Sequence, residues 1–327
     1  MVSVGLDPEW EQRRTLVTGA TGLLGGWMVR ELVNRGADVV AIVRDDVPGT
    51  FIDVEDLWHR ISVCRGDVTD SSLVRRVLAE YEVKTVFHLA AQTIVPIANQ
   101  SPLSTFETNI AGTWTVLEAV RLGGSEAEVV VASSDKAYGL STQLPYREDY
   151  PVQGRTPYDV SKSCADLIAQ AYAATWAANV CVVRCGNLFG GGDRNFSRLI
   201  PGVIRDVMSG RRPVLRSDGT PLRDYIYVED AARAYLLLAS AMRTDPSLRG
   251  SPFNFSLETP RSALEVVNLI LEVMGSELSP DIQSRVASEL QEQYLDASAA
   301  HVRLGWQAEI SLREGIRRTV DWYGAHG

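Results

Sequence analysis

The sequence Arg14-Thr-Leu-Val-Thr18-Gly19-Ala-Thr-Gly22-Leu-Leu-Gly25 runs from a short apolar stretch into three glycines with GxxGxxG spacing. A helix-like segment, Leu23–Asn34, follows directly. Glycines at such a turn let backbone N–H groups approach a pyrophosphate, and the positive end of the following helix favours the anion. Strand, glycine-rich turn and helix in this order therefore predict a dinucleotide-binding unit.

The rest of the first two-thirds of the chain alternates apolar runs with amphipathic segments. The apolar runs are Thr15–Thr18, Val39–Val43, Ile61–Val63, Thr85–Leu89, Val129–Ala132 and Val180–Arg184, and helix-like segments include Ser72–Tyr81, Asn109–Leu122 and Tyr158–Ala178. Such alternation is typical of βαβ units, in which helices cover both faces of a parallel sheet. We predict an α/β fold with a Rossmann-type doubly wound parallel sheet.

The pattern loosens after Asn187, where Gly190-Gly-Gly-Asp193 interrupts the alternation. We expect a smaller C-terminal substrate-binding lobe, interleaved with late elements of the sheet. The predicted division assigns residues 12–187 and about 224–255 to the sheet domain, and residues 188–223 and 256–327 to the lobe. Within this part, 211–219 is predicted to be extended, and 228–240, 264–274 and 311–323 are predicted to be helical.

Composition narrows the functional classes. The chain has 327 residues, with 32 Lys plus Arg against 41 Asp plus Glu, which gives a formal net charge of −9. This balance argues against a nucleic-acid binder, because phosphate backbones require an excess of cations. The four cysteines form no CxxC pair and the four histidines are scattered, so we predict no metal site. No apolar leader or spanning segment is visible, and we expect a cytoplasmic protein without a membrane partner.

The end of the second predicted strand bears on the choice of dinucleotide. Arg44, Asp45 and Asp46 follow about 20 residues after the glycines, where an acid would bond the ribose hydroxyls of NAD and an arginine would accept the phosphate of NADP. Two acids beside Arg44 would repel a 2′-phosphate. We therefore predict NAD, and NADP remains the alternative.

A second segment carries candidate chemistry. Tyr158-Asp-Val-Ser-Lys162 places a tyrosine and a lysine on one face of a helix. A phenol with its ordinary pKa of about 10 is a poor base at neutral pH, and a nearby lysine is expected to lower that pKa. The pair can then remove a hydroxyl proton while a hydride leaves the carbon. Ser134, at the end of a predicted strand, would hydrogen-bond the same oxygen.

An acid and a cation, Asp135 and Lys136, follow Ser134 directly. Placing a charged pair inside a site costs desolvation free energy unless the pair has a function there. We therefore predict that both side chains act in the reaction. A solvent-facing turn is the alternative interpretation.

These motifs resemble the extended branch of the short-chain dehydrogenase/reductases, in the NAD-dependent sugar-nucleotide epimerase/dehydratase family, and the resemblance covers nearly the whole chain. It implies that Asp67 and Val68 lie near the adenine and that His88-Leu-Ala-Ala91 lies along the cofactor. We interpret the His88 side chain itself as a core histidine. The implied cofactor-binding residues are Gly19, Thr21, Gly22, Leu23, Leu24, Arg44, Asp67, Val68, Leu89, Ala90, Ala91, Thr108, Ser133, Tyr158 and Lys162.

Residues 130–195 are most similar to the CDP-glucose 4,6-dehydratases, in which Ser-Asp-Lys precedes Ala-Tyr. The related dTDP-glucose enzymes have Thr-Asp-Glu there, and most epimerases of this branch carry small or neutral residues. The sequence departs from the dehydratase pattern at Arg194, where Trp is usual. The segment Arg216–Asp230 is closer to sugar-nucleotide epimerases and dehydratases in general. The resemblance thus implies a sugar-nucleotide 4,6-dehydratase, with a 4-epimerase or another enzyme of the same branch as the alternative.

For a dehydratase the resemblance implies three stages. Tyr158 takes the proton of the sugar 4-hydroxyl as C4 is oxidised, and the resulting ketone acidifies the C5 proton. Asp135 then protonates the leaving 6-hydroxyl, and the hydride returns to C6. Lys136 either removes the C5 proton as a neutral amine or stabilises the enolate. As a base it should be needed for elimination but not for C4 oxidation, so we expect Lys136→Ala to retain only the oxidation.

Substrate phosphates require cations or polar groups from the lobe. The candidates are Asn187, Asn195, Arg198, Arg216 and Arg223, of which Arg223 has the strongest support. Asp230 is expected to cap or anchor a helix over residues 231–240. By resemblance, the segments Asn109–Leu122 and Tyr158–Ala178 would form a four-helix interface in a homodimer.

Overall fold

The computed structural model describes residues 9–124, 126–140, 143–284 and 290–326. Its strands are β1 Arg14–Thr18, β2 Asp38–Val43, β3 Ser62–Arg65, β4 Thr85–His88, β5 Glu128–Ala132, β6 Val180–Cys185, β7 Asn187–Phe189, β8 Val214–Leu215, β9 Leu222–Arg223, β10 Tyr225–Tyr227, β11 Pro252–Phe255, β12 Arg261–Ser262, β13 Asp281–Ile282 and β14 Glu292–Gln293.

The α-helices are α1 Leu23–Asn34, α2 Phe51–Val54, α3 Ser71–Glu80, α4 Val95–Gln100, α5 Pro102–Phe106, α6 Gly112–Leu122, α7 Pro157–Trp176, α8 Leu199–Met208, α9 Val228–Thr244, α10 Ala263–Val273, α11 Ser298–Leu304 and α12 Leu312–His326. Short 3₁₀ helices lie at Trp58–Arg60, Asp135–Tyr138 and Pro246–Leu248, and Glu107–Ala111 forms a π-helical turn.

A seven-stranded parallel sheet forms the centre, in the order β3-β2-β1-β4-β5-β6-β11. Side chains alternate between its two faces. Val17 and Val130 join the core beneath α1 and α9, whereas Leu16 and Val129 join the core beneath α3 and α6. Both faces are covered, which explains why the central strands read as continuous apolar runs. The predicted Rossmann-type fold is confirmed.

Most predicted elements lie within one or two residues of those in the structure, and the first helix has the predicted bounds. The segment Asn109–Leu122 is helical as predicted, but its first residues belong to the π-helical turn and α6 itself begins at Gly112. The Asn109 side chain bonds the backbone of Gln92 and the Ser161 hydroxyl. The extended segment predicted at 211–219 contains only the two-residue strand β8.

The remaining strands form three small sheets beside the large one. β7 pairs with β10, β9 lies between β12 and β14, and β8 pairs with β13. β14 thereby brings a late part of the chain beside Leu222 and Arg223. The predicted division at residues 187, 224 and 255 stays a prediction, although β11 does pair with β6 at the edge of the large sheet. Among the described helices, none is long and apolar enough to cross a membrane.

Candidate active site

The glycine turn between β1 and α1 requires glycine for two geometric reasons. Gly19 has φ +75°, and a Cβ there would lie 2.7 Å from the Ala90 nitrogen. A Cβ on Gly25 would collide with the backbone of Gly19. The first turn of α1 is capped by Gly22 without a side-chain hydrogen bond, so its N–H groups are available to an anion. This cradle fits the pyrophosphate of a dinucleotide.

Arg44 and Asp67 form a charged corner at the ends of β2 and β3. Arg44 Nη1 lies 3.7 Å from an Asp67 oxygen, and Arg44 Nε donates to Asp45 at 2.7 Å. Burial opposes ionisation of Asp67, but bonds from Thr69 and the charge of Arg44 lower its pKa overall. The Asp67 and Asp45 carboxylates lie beside Arg44 and would repel a 2′-phosphate, so the corner disfavours binding of NADP.

A cleft of about 780 Å³ extends from the glycine turn to the lobe. Most predicted site residues line it: Gly19, Thr21, Gly22, Leu23, Leu24, Leu89, Ala91, Ser133, Ser134, Asp135, Lys136, Tyr158, Lys162, Asn187, Asn195, Arg198, Arg216 and Arg223. Arg44, Asp67, Val68, Ala90 and Thr108 are not among its lining residues. The Ala90 backbone packs against Gly19, and Val68 is buried in the core beneath α3 and α6.

Ser134, Tyr158 and Lys162 meet at the carboxyl end of β5. The Tyr158 hydroxyl hydrogen-bonds Ser134, and the predicted bond from Ser134 to the substrate oxygen stays a prediction. Thr156 caps α7, and Tyr158 and Lys162 are four positions apart on that helix. Lys162 Nζ donates to the Ala132 carbonyl at 2.7 Å, and burial lowers its pKa to about 8.

The expected effect of Lys162 on Tyr158 is wrong for this structure. Burial raises the pKa of Tyr158 to about 12, and the lowering influences are Ser134 and the charge of Arg198. Lys162 is not among the main groups that act on the pKa of Tyr158, and burial lowers its own pKa to about 8. A further positive charge beside Tyr158 would be needed to bring its pKa towards neutrality.

Asp135 and Lys136 begin a 3₁₀ helix next to the tyrosine. The Asp135 carboxylate is buried and accepts from Ser134 Oγ at 3.0 Å. Lys136 Nζ lies 3.8 Å from the other Asp135 oxygen and donates to Gln293 Oε1. Both side chains face the cleft rather than solvent, with Lys136 27 % exposed. The alternative of a solvent-facing turn is therefore wrong.

His88 is a buried core histidine, as interpreted from the sequence. Its Nδ1 pairs with Thr18 Oγ1 at 2.9 Å and its Nε2 with Thr113 Oγ1 at 3.2 Å. Both ring nitrogens are thus satisfied by hydroxyls that can donate or accept. His88 does not line the cleft.

The predicted arginines converge on the cleft from separate elements of the lobe. Arg198 caps the start of α8 and bonds Asp193 at 3.0 Å and Thr93 at 3.4 Å. Arg223 lies on β9, where its Nη1 donates to the Leu222 carbonyl at 2.8 Å. Arg216 is exposed at the rim. The negative net charge of the chain is therefore compatible with a local cationic pocket.

Asp230 is an anchor rather than a cap. It lies inside the first turn of α9, two residues after the helix begins at Val228, so of the two predicted roles the structure supports the anchor. Its carboxylate accepts from the Ile310 backbone N–H at 2.9 Å and from Arg233. It ties the C-terminal segment to α9.

Two residues near the site have contacts that the sequence did not predict: Arg194 lines the cleft, and Gln293 lies behind it against Lys136. Gln293 touches Lys136 although 157 positions separate them, and no local motif signals such a contact. Arg194 donates to the carbonyls of Pro48 at 2.9 Å and Gly49 at 2.6 Å. The only signal for Arg194 was its departure from the dehydratase pattern. Across the described ranges, no cluster of His, Cys, Asp and Glu could hold a metal ion.

The fold and the cleft define a Rossmann-type enzyme with a dinucleotide cradle and a Ser-Tyr-Lys set. The profile of the NAD dependent epimerase/dehydratase family matches residues 15–254. The CDP-glucose 4,6-dehydratase of Salmonella typhimurium is 30% identical over 97% of this chain and 92% of its own length. The chain belongs to the NAD dependent epimerase/dehydratase family.

Solved structures agree with this placement. A dTDP-glucose 4,6-dehydratase from Streptomyces venezuelae with NAD bound has a TM-score of 0.85 and 25% identity, covering 95% of this chain and 97% of that one. A UDP-glucose 4-epimerase from Thermotoga maritima, solved with UDP-glucose, has a TM-score of 0.86 and 25% identity, covering 95% and 98%. The predicted family is confirmed, and its similar members include dehydratases, one of them solved with NAD, as well as epimerases.

Proposed function

We propose that the chain is a sugar-nucleotide 4,6-dehydratase that converts a nucleoside diphosphate hexose into its 4-keto-6-deoxy form. The observation that carries this proposal is the Asp135–Lys136 pair, held in the cleft beside Ser134 and Tyr158. Inverting C4 requires proton and hydride transfer at one carbon, for which Ser134, Tyr158 and Lys162 suffice. The buried acid and its neighbouring amine are additional groups of the kind that an elimination needs.

The cradle formed by Gly19, Gly22 and the first turn of α1 would hold the pyrophosphate of NAD. When bound, NAD supplies a hydride acceptor for C4 and later a hydride donor for C6. The oxidised nicotinamide also carries a positive charge, which would lower the pKa of Tyr158 from about 12.

The chain's own residues account for the proton movements. Tyr158 takes the proton of the 4-hydroxyl, which Ser134 orients by hydrogen bonding. With the ketone at C4, the Lys136 amine removes the C5 proton, and that electron pair forms the C5–C6 double bond. The C6–O bond then breaks, and the oxygen leaves as water with a proton from Asp135. C6 would then accept the returning hydride, and C5 would regain the proton held by Lys136, which gives the 4-keto-6-deoxy product. Arg198, Arg216 and Arg223 would bind the diphosphate.

The test follows a deuterium label placed at C4. The protein with NAD is incubated with 4-deuterated CDP-glucose, dTDP-glucose and GDP-mannose, and NMR locates the label. We expect label at C6 together with loss of the 6-oxygen for one of these substrates. Label retained at C4 with inversion would show the 4-epimerase instead. Tyr158→Phe is the control, since it should abolish either reaction at its first step.

We also infer a homodimer and a cytoplasmic location. Trp114 on α6 and Leu167 on α7 are about half exposed, which is unusual for large apolar side chains on neighbouring helices. A second copy of this chain would cover them in the predicted four-helix interface. All four cysteines, each in the described part of the chain, are free thiols, which suits a reducing compartment.

A further inference from the structure

Gln293 joins the lobe to the two residues that follow Ser134. It lies on β14 and is 1% exposed. Its Nε2 donates to the backbone carbonyl of Asp135 at 3.1 Å, and its Oε1 accepts from Lys136 Nζ. Both ends of one buried amide therefore contact the segment that carries the elimination chemistry.

A lysine has a long side chain with many rotamers, and fixing it in one of them costs side-chain entropy. A buried acceptor for Nζ restricts those rotamers before substrate arrives. An amide oxygen is neutral, and it can accept from the amine whether or not the amine is protonated. A carboxylate at the same place would favour the ammonium form, which cannot act as a base.

We propose that Gln293 is the positioning residue for elimination, fixing the Lys136 amine in the cleft without the charge that would hold it as an ammonium. This inference rests on the proposed function and deepens it. Gln293 touches Lys136 and the Asp135 backbone, so its effect is on the elimination step rather than on the oxidation of C4, in which Tyr158 takes the hydroxyl proton.

Two carboxylates from different elements act on this amine: Asp135 on the same 3₁₀ helix, 3.8 Å from Nζ, and Asp159 on α7. Asp224, before β10, acts on Asp135, and Arg216 and Arg223 line the same cleft. Asp159 favours the ammonium, and so does Asp135 before it takes up the proton that it later gives to the leaving oxygen, so a carboxylate at position 293 would add to an existing bias. The neutral amide of Gln293 adds no negative charge beside the Lys136 amine.

The experiment compares Gln293→Glu and Gln293→Met with the wild-type holoenzyme on the nucleotide sugar that it dehydrates. Absorbance of the reduced nicotinamide in a single turnover reports C4 oxidation. Mass spectrometry of quenched samples reports loss of the 6-oxygen. The control is Gln291→Glu, which adds the same charge on the same segment, where the side chain lies 3.4 Å from Thr220 at the surface.

Gln293→Glu should move the pH midpoint of elimination upward by about one unit, because a neutral Lys136 becomes harder to form. Gln293→Met should slow elimination about tenfold while C4 oxidation keeps its wild-type rate. An unshifted midpoint in Gln293→Glu, or equal slowing of both steps in Gln293→Met, overturns the inference. A wild type that inverts C4 instead of dehydrating overturns the proposed function and, with it, this role.

Discussion

His88 illustrates how a residue close to the cofactor cradle serves the fold. It ends β4, adjacent to Leu89, which lines the cleft, yet its ring is buried between Thr18 and Thr113. Burial disfavours the charged ring, and the charge of Lys162 adds to this, so the pKa of His88 falls to about 3. A neutral histidine bonded on both sides therefore supports the β1–β4 pair beneath the glycine turn.

This burial predicts a pH dependence of stability. The folded pKa of His88 lies below the unfolded value of 6.5, so its stabilising effect is present above pH 6.5 and is lost as the pH falls towards 3. From about pH 7.5 to about pH 5.5, His88 should remove ~1 kcal/mol from the free energy of unfolding. His88→Gln, which cannot gain that charge, should show a shallower decline in urea titrations. Parallel slopes for both proteins would contradict the assignment.

At the same scale, the sequence predicted residues whose chemistry is local and missed those whose partners are distant. Tyr158 and Lys162 are one helical turn apart, and Ser134 ends a recognisable strand, so spacing alone identified them. Gln293 depends on β14 lying beside β9, a pairing that no local pattern encodes. The pKa of Tyr158 was also mispredicted, because burial of a side chain is a property of the whole fold.

At the scale of elements, the segment Gly190–Asn195 connects α1, α12 and the β2–α2 loop. The Trp27 indole of α1 donates to the Gly191 carbonyl at 2.9 Å, and the Tyr323 hydroxyl donates to the Asp193 carbonyl. Arg194 then reaches across to Pro48 and Gly49 in the β2–α2 loop. This loop and the glycine turn border the same cleft. The segment therefore restrains the edge of the cofactor groove.

Removing that restraint should accelerate cofactor loss. Arg194→Ala should release NAD about fivefold faster, since two partly exposed hydrogen bonds disappear. Gly49→Ala should act in the same direction, because its φ is +71° and an added Cβ would collide with the Arg194 guanidinium. Release is measured as the NAD retained by the protein during dialysis.

The matched control for Arg194 is Arg212→Ala. Arg212 also donates to two backbone carbonyls, those of Ser279 and Pro280, but it does not line the cleft. Its removal should leave NAD release unchanged. Equal release from the Arg194→Ala and Arg212→Ala proteins would show that the Arg194 contact does not retain the cofactor.

At the scale of the whole molecule, the large sheet was predictable because its strands are apolar along their full length and alternate with helices. The short strands after Asn187 were not predictable, because they are two or three residues long and are defined by pairing with distant parts of the chain. The predicted convergence of arginines on one cleft nevertheless holds for Arg198, Arg216 and Arg223. An acidic protein can thus present a phosphate-binding pocket.

The exposed surface of α6 and α7 is the interface of the proposed dimer. Leu167 is 52% exposed, and a two-fold interface would bury it twice. Burying a leucine contributes about 2 kcal/mol, so Leu167→Glu should weaken association by more than a hundredfold and yield a monomer in sedimentation experiments. Val302→Glu on α11 is the control, because Val302 is 84% exposed on a helix outside this surface. A dimer that persists in Leu167→Glu but dissociates in Val302→Glu would place the interface on α11 instead.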